Sequence, residues 1–352
     1  MNHDTEIKSL IDTLIKEGGS DLHISEGNVP TIRVADALIP LSNKEILTSE
    51  DTRGLISALL HEDQKVQFFR DQEIDFSYEY QEVRLRCNGF FQRGSVSIAL
   101  RLIPKQIRTL EELGLPPILA DFAAQRQGFF LVVGPVGQGK STTLAALLEI
   151  INTERAEHIV TIEDPIEYVY EQKKSMIDQR EVRIDTKDFA TALRSAFRQD
   201  VDVIMIGEMR GPETMAAAVT AAETGHLVFS TLHTNNAAQT IDRIIDTFPP
   251  GQQDQIRIQL SVSLAGIFSQ RLIQRVSGDL IPAYELLINN KAVANLIREK
   301  RTHEINTVIE TGSDQGMVDM NRSLADLVRR GEITVENAQS RSLNPQILEK
   351  YL

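Results

Sequence analysis

The sequence lacks the features that mark disulfide-stabilised, secreted and membrane-spanning proteins. Its one cysteine, Cys87, excludes an intrachain disulfide and a zinc site built from several cysteines. No signal-peptide pattern occupies Met1 to Leu10, so we expect a cytoplasmic protein. The longest apolar stretch, MAAAVTAA, ends at Glu223 and is far shorter than the roughly 20 residues that cross a bilayer. We therefore expect membrane contact only through partner proteins.

Basic charge and tryptophan are also scarce. The chain has 37 Lys and Arg residues against 50 Asp and Glu, a net charge of −13, and no tryptophan. These counts disfavour a large electrostatic affinity for phosphate backbones and a basic aromatic groove, so we expect no nucleic-acid partner. The 352 residues, 41% of them hydrophobic, suit about two domains with substantial cores.

Two patterns of hydrophobic residues divide the chain. Short alternating segments dominate the first 104 residues and predict an α+β domain with an antiparallel sheet, preceded by an amphipathic helix that ends before Gly18. A proline-containing linker is predicted over 105–115. Over 116–352, apolar strands alternate with helices and predict a mostly parallel sheet. Beyond Ser261 the pattern is interpreted as helical to the end of the chain.

The segment LVVGPVGQGKSTTLAALLEIIN predicts a nucleotide-binding loop. It satisfies G-x-x-x-x-G-K-[ST], with an apolar strand before the loop and a helix after it. Backbone N–H groups of such a loop surround phosphates, the lysine reaches the β and γ oxygens, and the serine hydroxyl ligates Mg²⁺. The cofactors expected are therefore ATP and Mg²⁺. The residues expected to hold them are Gly134, Gly137, Gly139, Lys140, Ser141 and Thr142.

Three further predicted strands end in polar residues at the same sheet edge. VDVIMIGEMR delivers Glu208, a Walker B acid that would organise Mg²⁺ through water. HIVTIEDPIEY delivers Glu163 and Asp164, and we assign Glu163 as the general base that orients the attacking water. GHLVFSTLHT carries His233, which would sense the γ-phosphate. His226, at the other end of that segment, is as well explained by a structural role.

These motifs resemble those of the secretion-ATPase superfamily, the hexameric motors of type II secretion and type IV pili. TIEDPIEY resembles its aspartate box, IGEMR its atypical Walker B element, and GHLVFSTLHT its histidine box. The resemblance covers nearly the whole chain. It implies a RecA-like P-loop NTPase domain beside a smaller α+β, PAS-like N-terminal domain. It also implies a homohexamer at the inner face of the cytoplasmic membrane, with an integral platform protein as partner.

Within the superfamily, the chain is similar to the pilus-retraction branch. GGSDLHIS resembles the start of that branch's first domain, and ANLIRE resembles its C-terminal retraction signature. Neither the additional N-terminal domain nor the four-cysteine zinc module usual in assembly and secretion ATPases is expected here. Two positions depart from the branch: Ala294 replaces an arginine in the signature, and Gly211 replaces an aspartate after GEMR. An accessory role in retraction therefore remains open.

The resemblance also assigns a catalytic role to two arginines of the first domain. Arg86 and Arg101, in separate alternating segments, match the family's pair of nucleotide-contacting arginines. Such cations stabilise the charge that develops on the γ-phosphate. The alternative is that both are solvated charges on a strand face.

Three other functions remain alternatives. The nearest is a pilus-assembly or type II secretion ATPase of the same superfamily. A RecA-like DNA translocase shares the P-loop but fits poorly with the acidic composition. A regulatory P-loop protein without catalysis would not need acids at two strand ends.

Overall fold

The computed structural model describes residues 2–34, 37–81, 83–103 and 106–352. The chain divides into two units, Met1–Gln106 and Ile107–Leu352. Three residues at the domain bounds predicted from sequence, Met1, Pro104 and Lys105, lie outside the described residues. The predicted bounds themselves stay a prediction.

The first unit is an antiparallel sheet with helices. Its strands have the order β3-β2-β1-β6-β5-β4, each antiparallel to its neighbour. Its elements are α1 (His3–Lys16), β1 (Asp21–Ser25), β2 (Thr31–Val34), β3 (Ala37–Pro40), α2 (Ser49–Leu59), α3 (Glu62–Asp71), β4 (Glu73–Tyr80), β5 (Val83–Gln92) and β6 (Ser95–Ile103).

Alternation along these strands separates a core face from an outer face. Leu22, Leu85 and Leu100 are completely buried, and they form one core with Leu10 and Ile11 of α1. The residues between them on the strands point to the opposite face, because successive side chains of a strand alternate. The sequence-predicted α1 and antiparallel sheet are confirmed.

Within the described residues, the second unit contains a seven-stranded sheet. Its order is β13-β12-β7-β11-β10-β8-β9, with only β13 antiparallel to its neighbour. The strands are β7 (Gly128–Val133), β8 (His158–Glu163), β9 (Met176–Glu181), β10 (Val203–Ile206), β11 (Leu227–Leu232), β12 (Leu264–Gln274) and β13 (Leu280–Ile288). The helices are α4 (Leu119–Ala123), α5 (Lys140–Glu154), α6 (Phe189–Ala196), α7 (Pro212–Glu223), α8 (Ala237–Asp246), α9 (Pro250–Ser263), α10 (Lys291–Arg298), α11 (Ile305–Thr311), α12 (Met320–Arg329), α13 (Val335–Arg341) and α14 (Pro345–Tyr351).

The central strands are buried along their whole length. Every residue of β7, β10 and β11 is buried, as expected for parallel strands covered by helices on both faces. Two hydrophobic clusters, one containing Phe129 and the other Phe130, lie on opposite sides of the sheet. No helix within the described ranges is long and apolar enough to cross a membrane.

The interpretation of the chain after Ser261 as helical is wrong. Helix α9 ends at Ser263, and the next residues form β12, which pairs with β7, and β13, which returns through a turn at Gly278. The apolar residues of this stretch fit helical spacing, but helix propensity is a weak preference that tertiary pairing overrides. The open edge of β7 supplies that pairing. Helical structure resumes at α10.

Candidate nucleotide-binding site

Strand order brings the ends of five parallel strands together. β7 lies between β12 and β11, and β10 and β8 follow on the β11 side. Val133 pairs in register with Leu232 on one side and Ser269 on the other. Neighbouring strands lie about 4.8 Å apart, so residues just beyond these positions line one continuous edge. In strand order, that edge carries Gln270, the P-loop, His233, Glu208 and Glu163.

The loop after β7 has a backbone that requires glycine. Gly134, Gly137 and Gly139 have φ angles of +146°, +75° and +77°. A Cβ atom on Gly134 would lie 2.4 Å from the backbone oxygen of Gln270, which no side chain tolerates. Helix α5 begins at Lys140, so its free N–H groups face the loop and favour an anion there.

The P-loop lysine is bound to the loop itself. Lys140 is 7% exposed. Its Nζ donates to the backbone oxygens of Gly134, at 2.9 Å, and Pro135, at 2.8 Å. Burial lowers the pKa of Lys140, while the charges of Glu167 and Glu208 oppose the shift. The ammonium therefore donates to carbonyl oxygens of the loop. Phosphate oxygens of a bound nucleotide would replace these carbonyls as acceptors.

His233 connects this lysine to the Walker B acid. Its Nδ1 lies 3.2 Å from Lys140 Nζ, and its Nε2 lies 3.7 Å from Glu208 Oε2. Burial, and then the Lys140 charge, lower the pKa of His233, so the neutral ring can accept a hydrogen bond from the ammonium. The other carboxylate oxygen of Glu208, Oε1, lies 2.5 Å from Arg210 Nη2. A continuous polar chain thus joins the P-loop to β10.

Glu163 is a buried acid of this edge, with 6% exposure. Its Oε1 accepts from Thr161 Oγ1 at 2.6 Å and Gln179 Nε2 at 3.3 Å, and its Oε2 accepts from the Glu167 backbone N–H at 3.3 Å. Burial raises the pKa of Glu163 to about 7 despite these hydrogen bonds. A carboxyl with that pKa exchanges protons readily near neutral pH, which is what a general base requires.

The expected Mg²⁺ ligands are compatible with a metal held mainly by phosphate. Ser141 lies half-buried in the first turn of α5, and Thr142 Oγ1 is 2.8 Å from Tyr168 Oη. Among the described residues, no group of three or more His, Cys, Asp or Glu side chains could hold a metal alone. A hydroxyl, one carboxylate and substrate phosphates suit Mg²⁺, which keeps several waters.

Two polar residues at strand ends, one at each edge of the sheet, have structural surroundings. Nδ1 of His226, before the amino end of β11, lies 3.0 Å from the Ala221 backbone oxygen, and the ring packs edge-on against Phe197. Asp164, after β8, lies 3.8 Å from Arg183. These contacts favour the structural interpretation of His226.

The two predicted catalytic arginines lie in the first unit. Arg86 on β5 and Arg101 on β6 are direct partners in the antiparallel register, and both are exposed on the outer face. Arg101 Nε donates to Asp21 Oδ1 at 2.7 Å. Burial acts to raise the pKa of Asp21, but hydrogen bonds from Arg101 and Ser20 outweigh burial and hold that pKa below its usual value. Within the described residues, the Arg86 side chain forms no hydrogen bond or ion pair.

Several residues of the site were missed from the sequence. Arg210 forms an ion pair with Glu208, and the negative charge of exposed Glu167 acts to raise the pKa of Lys140. Both follow a predicted acid by two or four residues, so their proximity was a usable signal. Gln138 and Gln270 contact each other across the P-loop. Gln270 lies in the segment interpreted as a helix, and that error concealed its position.

Comparisons with known proteins agree with this architecture. The family model described as "Type II/IV secretion system protein" matches residues 4–341. The chain is 43% identical to the type IV pilus retraction ATPase PilT of Pseudomonas aeruginosa over 97% of this chain and 99% of that protein. It is 40% identical to the type IV pilus ATPase PilU of the same organism, over 95% and 87% of the two chains.

A solved structure gives the same result. The crystal structure of the pilus retraction motor PilT with bound ADP matches with a TM-score of 0.92 at 43% identity, covering 97% of this chain and 98% of that one. The Legionella pneumophila ATPase DotB matches with a TM-score of 0.85 at 26% identity, over 96% and 95% of the two chains. The predicted fold class and the predicted resemblance to the retraction branch are confirmed.

Proposed function

Since the chain belongs to the Type II/IV secretion system protein family, we propose that it is a homohexameric motor ATPase that powers type IV pilus retraction. The relatives named for pilus retraction and twitching motility, 43% and 45% identical to this chain, support this function. We infer that it works at the cytoplasmic face of the membrane, against an integral platform protein of the pilus. The alternative of a DNA translocase lacks comparable support.

The row of strand ends carries the proposal. The P-loop, His233, Glu208 and Glu163 follow β7, β11, β10 and β8, which are successive neighbours in the sheet. Phosphoryl transfer requires little covalent chemistry from the protein and depends on positioning and charge. A loop for phosphate, a histidine beside its lysine, and two acids in one line meet that requirement.

The proposed reaction is attack of water on the γ-phosphate of ATP. Glu163 takes the proton of the water, and ADP and phosphate leave. Lys140 moves from the oxygens of Gly134 and Pro135 to the phosphate, which also ends its contact with His233. Ser141, and Glu208 through water, would hold Mg²⁺, which would supply positive charge against the phosphates. The state of the γ-phosphate is thereby communicated to His233.

We further propose that Arg86 and Arg101 stabilise the transition state. Arg86→Ala and Arg101→Ala should each lower ATP turnover by about 10³-fold, the lower end of what arginine fingers contribute. Arg93→Ala, on the exposed turn between β5 and β6, is the matched control and should turn over normally. Turnover within threefold of the parent for both test variants would instead favour solvated strand charges.

The proposed direction of work, retraction rather than assembly of the pilus, needs a separate test. Ala294 lies half-buried in α10, in the segment that resembles the retraction signature. Deleting the gene and measuring pilus length separates the possibilities. Pili that extend and never shorten support retraction, and absent pili would identify an assembly ATPase. Shortening that weakens only under load would identify an accessory motor.

Enzyme activity is tested by steady-state ATP hydrolysis at increasing subunit concentration, with and without DNA, using Lys140→Ala as the blank. We expect a specific rate that rises steeply with concentration, because ring assembly completes the sites, and that ignores DNA. Activation by DNA would overturn the pilus function in favour of a translocase. Hydrolysis equal to that of Lys140→Ala would exclude an ATPase.

A further inference from the structure

A buried glutamine to which the sequence assigns no role holds the P-loop. Gln270 follows Ser269, the partner of Val133, and so lies beside the first residues of the loop. Its side chain is 3% exposed. Nε2 donates to the Gln138 backbone oxygen at 2.7 Å, and Oε1 accepts from Thr143 Oγ1 at 2.6 Å. One amide therefore joins the loop to the first turn of α5.

The Gln138 side chain in turn contacts β12. Its Oε1 accepts from the Leu272 backbone N–H at 2.8 Å. Two glutamines thus bridge the loop and β12 in opposite directions. Gly134 adds a third point of approach, because only hydrogen fits between its Cα and the Gln270 backbone oxygen. The loop is held to β12 at its start, near its end and at the helix that follows.

The loop needs such support for a physical reason. Three glycines at positive φ give it more backbone freedom than other residues would, so ordering it upon nucleotide binding would cost conformational entropy. A loop that is already ordered binds more tightly, because that cost is met by the folded protein. The Gln270 amide is suited to this task because it offers a donor and an acceptor at once and carries no charge that would repel phosphate.

We propose that Gln270 is a positioning residue that keeps the P-loop in its phosphate-binding form before the nucleotide enters. This inference rests on the proposed function only in assuming that the loop binds ATP. Replacement by alanine removes both hydrogen bonds. Replacement by glutamate keeps an acceptor for Thr143 but removes the donor and places a carboxylate against the Gln138 carbonyl.

The test compares Gln270→Ala and Gln270→Glu with Gln274→Ala, an exposed glutamine four residues later on the same strand. Three quantities are measured: the Kd of a fluorescent ADP, the kcat and KM for ATP, and hydrogen exchange at 134–140 in the nucleotide-free protein. We expect Kd and KM to rise about tenfold or more in both test variants, because two buried hydrogen bonds are lost or reversed. Exchange at 134–140 should accelerate, kcat should change less than KM, and Gln274→Ala should match the parent.

Thr143 supplies a second route if the Gln270 variants do not fold. Thr143→Val removes one hydrogen bond to Gln270 and should raise Kd less than Gln270→Ala, whereas Thr143→Ser keeps the hydroxyl and should bind normally. Unchanged Kd and exchange in the folded variants would overturn the proposal. A lower melting temperature with unchanged Kd would overturn it equally, because that is a structural role. If the parent protein fails to bind ADP, the proposed function fails, while hydrogen exchange still tests the positioning of the loop.

Discussion

The two sides of β7 hold the P-loop by different chemistry. On the β11 side, Lys140, His233 and Glu208 form a chain of ionisable groups. On the β12 side, Gln138 and Gln270 use neutral amides. Burying a charged side chain costs free energy unless the charge is paired or has a function. Charged residues at binding sites therefore occur in recognisable motifs. Neutral amides cost less to bury and occur in many contexts, so the role of a buried amide is identified only from the residues that it contacts.

Each side also contains a buried carboxyl with a raised pKa. Glu163 ends β8, whereas Glu285 lies on β13 and accepts from the Ala237 backbone N–H at 2.7 Å. Burial raises the pKa of both to about 7. Because the two acids share this property, pKa alone does not separate a catalytic group from a structural one. The proposal that Glu163 is the catalytic one rests on its position in the strand order.

The largest effect expected from comparing the two sides of β7 distinguishes these two acids. Glu163→Gln should bind ATP normally and lower kcat by about 10²-fold or more, since a typical general base contributes that much. Glu285→Gln makes the same change on the other side of β7 and should leave kcat within about threefold of the parent. Both are measured by steady-state hydrolysis at saturating ATP.

The pH profile of kcat sharpens the test. A base with a pKa of about 7 is lost to protonation as the pH falls, so the parent should show an acidic limb near pH 7 that is absent in Glu163→Gln. Near-normal turnover of Glu163→Gln would instead assign the role of base to Glu208.

A middle-sized effect concerns stability on the β13 side. The folded-state pKa of Glu285 is about 7, above its ordinary value of 4.5, so the folded protein binds more protons than the unfolded chain between those pH values. Stability from this group is therefore complete below pH 4.5 and is lost as the pH rises through about 7. Glu285→Gln stays neutral and still accepts from Ala237.

Urea unfolding at pH 5 and pH 8 measures this prediction. Glu285→Gln should lie within about 1 kcal/mol of the parent at pH 5 and exceed its free energy of unfolding at pH 8 by up to about 3 kcal/mol. The difference between the two proteins isolates Glu285, since Glu163 contributes to both. A variant that is less stable than the parent at pH 8 would show that the charged form of Glu285 is favoured.

The smallest expected effect lies at Gly211. It is the N-cap of α7, with an extended backbone of φ −143° and no capping side chain. A Cβ there would meet Glu213 Oε2 at an ordinary 3.5 Å. Gly211→Asp should raise the free energy of unfolding by a few tenths of a kcal/mol, the usual gain of an aspartate cap over glycine. Gly211→Ala, which cannot cap, should give no gain in urea unfolding, and an equal gain would exclude capping as the cause.

Sequence-based prediction succeeded where periodicity and motif agreed. The strands around GPVGQGKS, GEMR and FSTLHT are continuous apolar runs that end in polar residues, and the structure has strands β7, β10 and β11 there. Prediction failed for β12 and β13, because the apolar residues after Ser261 also fit a helix. The serine, glycine and aspartate of VSGD, now the turn around Gly278, and Pro282 of β13 were the local signals against a helix.

The sequence by itself determined the P-loop, the order of strands and acids along the second unit, and the alternating sheet of the first. Those properties depend on local spacing, which the chain carries from residue to residue. Only the tertiary structure decided that β12 occupies the free edge of β7 and sets Gln270 beside Gly134. That pairing joins residues 136 positions apart in the chain, and its stability comes from a neighbouring strand rather than from local sequence.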